Sequence, residues 1–131
     1  MIGLYNLGLS EEQIIEIINI NSNISYLNLE EILKSIKILK DISCSDKTIK
    51  DIILTNPFYL NRSIDDVLNL INKLMDFGIK DISSLIENNP FLLNKDAFEI
   101  DEFVKFKMDS GKSKKEIIDE FITNPYIIDE M

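Results

Sequence analysis

The chain contains no histidine, which removes the side chain that most often serves as general base, proton shuttle or metal ligand near neutral pH. Histidine-dependent triads are therefore excluded. Cys44 is the single cysteine. It precedes Ser45 at the start of an expected helix, where the helix N-terminus can lower a thiol pKa. With no imidazole to act as its base, it is read as an incidental thiol rather than a nucleophile. The stretch Asp109-Ser110-Gly111-Lys112-Ser113 holds the Gly-Lys-Ser tail of a phosphate-binding loop. That loop needs another glycine five residues before Gly111 and a strand in front of it, and Phe106 stands at that place. Gly111 as a helix stop and Ser113 as the next helix's cap account for the same residues.

Carboxylates cluster at Asp65-Asp66, at Glu99, Asp101 and Glu102, and at Asp119-Glu120. None follows the Asp-x-Asp-x-Asp-Gly calcium pattern, so neither a metal nor another cofactor is expected. Asp65 and Asp66 fall in a first helical turn, where negative charge complements the macrodipole. Glu99, Asp101 and Glu102 are the candidate docking patch for a basic protein partner, against the plainer reading of a solvated helix face. Lys34, Lys37 and Lys40, with Lys47 and Lys50 on the next helix, form the one ordered basic stripe. Each lysine that neutralises a phosphate would add salt-dependent affinity for nucleic acid. Lys112, Lys114 and Lys115 form a second cluster, which Glu116, Asp119 and Glu120 neutralise within two turns. The chain has only one arginine, the residue whose planar fork usually clamps phosphates and reads bases.

The elements that must position these groups show themselves as a repeat. Ser43–Pro57 (SCSDKTIKDIILTNP) and Gly111–Pro125 (GKSKKEIIDEFITNP) align without a gap. Gly78–Pro90 (GIKDISSLIENNP) is two residues shorter, and Gly8–Ser22 (GLSEEQIIEIININS) fits with Ser22 in place of proline. The anchors Ser22, Pro57, Pro90 and Pro125 are thus 35, 33 and 35 residues apart, a spacing typical of stacked helical repeats. A short apolar patch follows each anchor, with Phe58, Tyr59, Phe91 and Tyr126 expected to pack between repeats rather than to stack on bases.

Three-and-four spacing of apolar residues then marks a second helix: Leu29, Ile32, Leu33, Ile36 and Leu39; Ile64, Val67, Leu68, Ile71, Leu74 and Met75; and, more loosely, Phe98, Phe103, Val104 and Phe106. Helix starts are signalled by Ser10 with Gln13, Asn28 with Glu31 and Ser113 with Glu116, and by Ser45 and Ser63. Gly78 and Gly111 suit left-handed helix ends. Each Asn-Pro pair stops one helix, and its proline can open a short turn. These signals predict helices near 10–20, 28–40, 45–55, 64–77, 79–88, 98–109 and 113–123.

A helix ending in Asn-Pro-aromatic/aliphatic-Leu, then a helix of about fourteen residues, then glycine and a third helix resembles the repeat of the mitochondrial transcription termination factor (mTERF) family. Asp51–Leu93 (DIILTNPFYLNRSIDDVLNLINKLMDFGIKDISSLIENNPFLL) carries the likeness best. The resemblance implies an all-α solenoid of three to four units, each with two longer helices and a short 3₁₀ turn. It also implies a concave surface used in that family for nucleic acid.

A chain of 131 residues suits one domain, here residues 1–131, with a core that needs no disulfide or metal. Formal charge is −9, divided as −3, 0, −2 and −4 over residues 1–22, 23–57, 58–90 and 91–131. That field repels nucleic acid and anionic membranes at long range and suits a basic partner. The leading expectation is therefore a non-catalytic binding module for a basic or nucleic-acid-associated protein, with mimicry of nucleic-acid charge as one version. Nucleic-acid binding through the lysine stripe, implied by the family, is the alternative. A lone cysteine, no leader pattern in Met1–Ser10 and no run of 18 apolar residues lead to the expectation of a cytoplasmic protein without a membrane span. Met1–Leu9 and Tyr126–Ile128 lack the polar character of capping repeats, which adds a homodimer through one end to the expectations.

Overall fold

The computed structural model describes residues 2–130; Met1, which opens the amino-terminal segment considered above, lies outside them. Isoleucine is a middling helix former, because its branched Cβ restricts χ1 against the preceding turn. Helices built largely from it therefore depend on caps and burial. In residues 1–64, one compact unit, α1 (Ile2–Asn6) leads to α2 (Glu11–Ile20), a 3₁₀ turn at Ser22–Tyr26, α3 (Leu29–Asp41), α4 (Asp46–Thr55) and a 3₁₀ turn at Pro57–Asn61. The second unit, residues 65–131, holds the body of α5 (Ile64–Phe77), α6 (Ile82–Asn88), a 3₁₀ turn at Pro90–Asn94, α7 (Ala97–Asp109), α8 (Lys114–Thr123) and a 3₁₀ turn at Pro125–Glu130. Among the described residues there is no strand, and no helix is long and apolar enough to cross a membrane.

The caps fix the starts. Gln13 N–H donates to Ser10 Oγ at 3.1 Å while Ser10 N–H donates to Gln13 Oε1 at 3.0 Å. Ser113 and Glu116 repeat that exchange at 3.0 and 3.2 Å. Asn28 Oδ1 accepts from Glu31 N–H at 2.8 Å, and Ser45 Oγ from Thr48 N–H at 3.1 Å. One start, that of α6, differs from the sequence reading by more than one residue. α6 begins at Ile82 because the Asp81 carboxylate accepts from Ser84 N–H at 3.1 Å. α7 begins at Ala97, where Asp96 N–H donates to Glu99 Oε1 at 3.3 Å in a capping box. The five-residue α1 was not anticipated, being too short to show a period.

The helix ends are copies of one another. Gly8, Gly78 and Gly111 have φ of 96°, 111° and 94°, and Ser43 takes the same left-handed position at 75°. Behind each, the next N–H reaches back five residues: Leu9 to Leu4 O, Cys44 to Leu39 O, Ile79 to Leu74 O and Lys112 to Lys107 O, at 3.0 to 3.2 Å. The anchor asparagines agree as closely. Asn21, Asn56, Asn89 and Asn124 have φ between −143° and −131° and ψ between 74° and 87°. Each N–H closes the preceding helix on the carbonyl four residues back. The Asn-Pro sites thus share one local geometry, as a true repeat requires.

Asparagine side chains tie one repeat to the next within each unit. Asn21 Nδ2 donates to Pro57 O at 3.2 Å, and Asn89 Nδ2 donates to Pro125 O at 3.2 Å. Asn21 also bonds the Asn61 side chain. Around these links lie the apolar cores. In the first unit Ile14, Ile17, Ile32, Leu39, Ile49, Ile52, Ile53 and Leu60 are buried, with Tyr59 donating its hydroxyl to Ser35 O at 2.6 Å. Burial, and secondarily the nearby Cys44, pushes that phenol well above its ordinary pKa. In the second unit Leu70, Leu74, Leu85, Leu92, Leu93, Ile100 and Ile117 are buried, and the Phe103 and Phe121 rings meet at 5.2 Å and 52°. The final repeat differs at one register position. Glu120, paired with Lys107 and Lys112, stands where earlier repeats bury Ile17, Ile52 and Leu85. Of the supposedly uncapped end, Ile128 is buried and Lys95 pairs with Asp129 beside it in sequence.

Candidate nucleic-acid interface

Position on α3 and α4 decides what the lysine stripe can do. Lys34, Lys37, Lys40 and Lys47 are exposed and Lys50 is half-buried. Acids pair with four of its five lysines. Lys34 pairs with Glu30 at 3.2 Å, Lys37 with Asp41 at 2.7 Å and Lys47 with Asp51 at 3.9 Å, each one helical turn apart. Lys40 reaches from α3 to Asp46 in the first turn of α4, at 3.8 Å. These pairs are open to solvent, where screening and side-chain entropy leave an ion pair worth about 0–1 kcal/mol. A phosphate can therefore replace the carboxylate at little cost.

Lys34 and Lys37 line a hollow of about 480 Å³ together with Leu29, Glu30 and Leu33. Both leucines belong to the apolar face read from the sequence, yet each is more than 40% exposed, while Ile32, Ile36 and Leu39 are buried. Leucines 29 and 33 sit at the edge of a stripe that spreads wider than the surface α3 buries. A second cleft of about 260 Å³ lies between the start of α3 and the loop ahead of α5, lined by Leu27, Glu31, Ser35, Leu60 and the segment Asn61–Ile64.

The aromatic residues after the anchors divide. Tyr59 is buried, but Phe58, Phe91 and Tyr126 are each about half exposed, which corrects their assignment to the packed interior. A 3₁₀ turn has three residues per turn, so the anchor and the third residue after it share a face. Pro57 with Leu60 and Pro125 with Ile128 are buried, and the residue next to the proline turns out. A strict three-residue period applied after each proline would have shown this.

The acidic candidates lie on α7. Glu99 serves the cap on Asp96 and pairs with Lys95 at 3.5 Å, and Asp101 pairs with Lys73 of α5 at 3.2 Å. Glu102 is exposed and has no ion-pair partner among the described residues. The same helix exposes Phe98 and Phe106, which the sequence reading placed with the buried Phe103. Cys44 is buried. Gly111 ends α7 and Ser113 caps α8, so the Gly-Lys-Ser tripeptide is a helix junction.

Charge is uneven along the chain: residues 1–64 carry six basic and eight acidic side chains, net −2, and residues 65–131 carry eight and fifteen, net −7. No curated protein matches the chain significantly. The mTERF family model matches residues 2–128, and with its repeated helix, glycine stop and Asn-Pro turn the chain belongs to the mTERF family.

Proposed function

We propose that the protein binds nucleic acid and that Lys34, Lys37, Lys40, Lys47 and Lys50 meet the phosphates. The observation that carries this reading is membership of the mTERF family across residues 2–128, a family whose repeat surface is used for nucleic acid. It reverses the ranking drawn from net charge, in which a basic protein partner came first. The local electrostatics support the reversal. Most of the excess acid belongs to residues 65–131, whereas α3 and α4 carry five lysines against five carboxylates. The ion pairs that neutralise the lysines are exposed and exchangeable. The role is one of binding, without a catalytic step.

Fluorescence anisotropy with labelled duplex DNA and single-stranded RNA tests the reading. Lys37→Glu with Lys50→Glu should weaken binding roughly tenfold or more at moderate salt. Lys105→Glu, on α7, should leave affinity nearly unchanged. Equal affinities for the wild type and the double variant would remove the lysines from the interface.

A further inference from the structure

The outer side of α7 has a feature that neither the repeat nor the core requires. Phe98, Glu102 and Phe106 are spaced by four residues, so they lie along one side of the helix. Asp109 continues the same side one turn on. Phe98 is 68% exposed and Phe106 is 51% exposed. Neither Glu102 nor Asp109 has an ion-pair partner among the described residues. The preceding repeat offers an internal control, because α5 places Asp65, Asn69 and Lys73 at the register of Phe98, Glu102 and Phe106. An all-polar stripe therefore satisfies the architecture, and the two phenyl groups are particular to α7.

Exposed aromatic groups beside unpaired carboxylates fit one kind of occupant. We propose that this side of α7 docks a basic amphipathic protein helix, whose apolar residues cover Phe98 and Phe106 and whose lysine or arginine side chains meet Glu102 and Asp109. Charge complementarity selects that occupant: residues 65–131 carry net −7, which attracts a cationic segment and repels phosphates. Two anchors spaced by eight residues match the i, i+4, i+7 or i+8 recognition of a helix lying along another. Aromatic anchors also contribute most of the affinity in such contacts. The site uses none of the lysines of α3 and α4, so it rests on residues other than those of the nucleic-acid reading.

The test uses the full chain and two synthetic helical peptides of eighteen residues, one of leucine and lysine in amphipathic order and one with glutamate replacing each lysine. Binding is followed by calorimetry and by amide shift changes along α7. The cationic peptide should bind, and the anionic peptide should not. Phe98→Ala with Phe106→Ala should weaken the cationic peptide roughly tenfold or more, as should Glu102→Lys. Thermal melts of these variants should stay within about 4 °C of the wild type, since Phe98 is mostly exposed and Phe106 half exposed. Lys37→Glu with Lys50→Glu should leave peptide binding intact, which separates this site from the nucleic-acid reading. Equal peptide affinity in the wild type and the double phenylalanine variant overturns the proposal. So does a loss of nucleic-acid binding on removing the two rings, which would make α7 a nucleic-acid surface instead.

Discussion

Replacing Asn89 by alanine probes the link between repeats. Asn89 is fully buried, its Nδ2 donates to Pro125 O at 3.2 Å, and its Oδ1 has no partner among the described residues. Asn89→Ala leaves the Pro125 carbonyl buried without that donor, which costs about 1–3 kcal/mol. Removing the unpaired Oδ1 offsets part of this, so the lower half of the range is expected. Asn21→Ala should cost more, toward the upper half, because Asn21 bonds both Pro57 O and the Asn61 side chain. Asn124 has the same backbone geometry but is exposed, and Asn124→Ala should change stability by less than about 0.5 kcal/mol. For a chain of this length 1 kcal/mol moves the midpoint by roughly 3–4 °C. Thermal melts followed by helical circular dichroism should therefore show shifts of roughly 3–8 °C for Asn89→Ala, more for Asn21→Ala, and under about 2 °C for Asn124→Ala. Equal shifts for Asn89→Ala and Asn124→Ala would refute the role given to the side-chain link.

Other consequences follow from single residues. Ser43 holds a left-handed conformation that three other repeats give to glycine, so Ser43→Gly should stabilise the chain by about 0.5–1 kcal/mol in urea melts, the relief of backbone strain exceeding glycine's entropy cost. Phe121→Ala removes a buried ring packed on Phe103 and should cost about 3–5 kcal/mol, read as a lower urea midpoint. Acid should loosen α6 and α8 first. Hydrogen bonds from Ser84 N–H and the Ser83 hydroxyl lower the Asp81 pKa, the Ser113 N–H lowers that of Glu116, and the Lys112 ammonium lowers that of Glu120. A carboxylate with a depressed folded pKa contributes stability that is complete above its unfolded pKa, near 4, and that is lost as pH falls through the lower folded value. Hydrogen exchange, corrected for intrinsic rates, should therefore accelerate in α6 and α8 below about pH 4, while α2, capped by neutral Ser10 and Gln13, keeps its protection. Simultaneous acceleration in all three helices would contradict this assignment.

Much of the fold was legible because its signals are local. Capping oxygens, glycine stops and Asn-Pro breaks act within a few residues of where they are read, so α2, α3, α4, α5, α7 and α8 begin and end within a residue of expectation. α6 was read three residues too early because Asp81 caps it without a glutamate or glutamine three positions on. Burial was harder to read, since it depends on what the remainder of the chain supplies. The apolar stripes of α3 and α7 are wider than the surfaces they bury, so Leu29, Leu33, Phe98 and Phe106 are exposed although their spacing resembles that of core residues. The lysine stripe was visible as a pattern. Its neutralisation by Glu30, Asp41, Asp46 and Asp51 depends on side-chain reach, and for Lys40 on the turn between α3 and α4.

The salt dependence of nucleic-acid affinity tests the central functional claim most directly. If the five lysines of α3 and α4 meet phosphates of duplex DNA, the plot of log K against log salt should slope by about −0.9 per contact, roughly −3 to −4.5 in all. Lys37→Glu with Lys50→Glu should flatten the slope by about two. A slope near zero, or one that the double variant leaves unchanged, would contradict the claim.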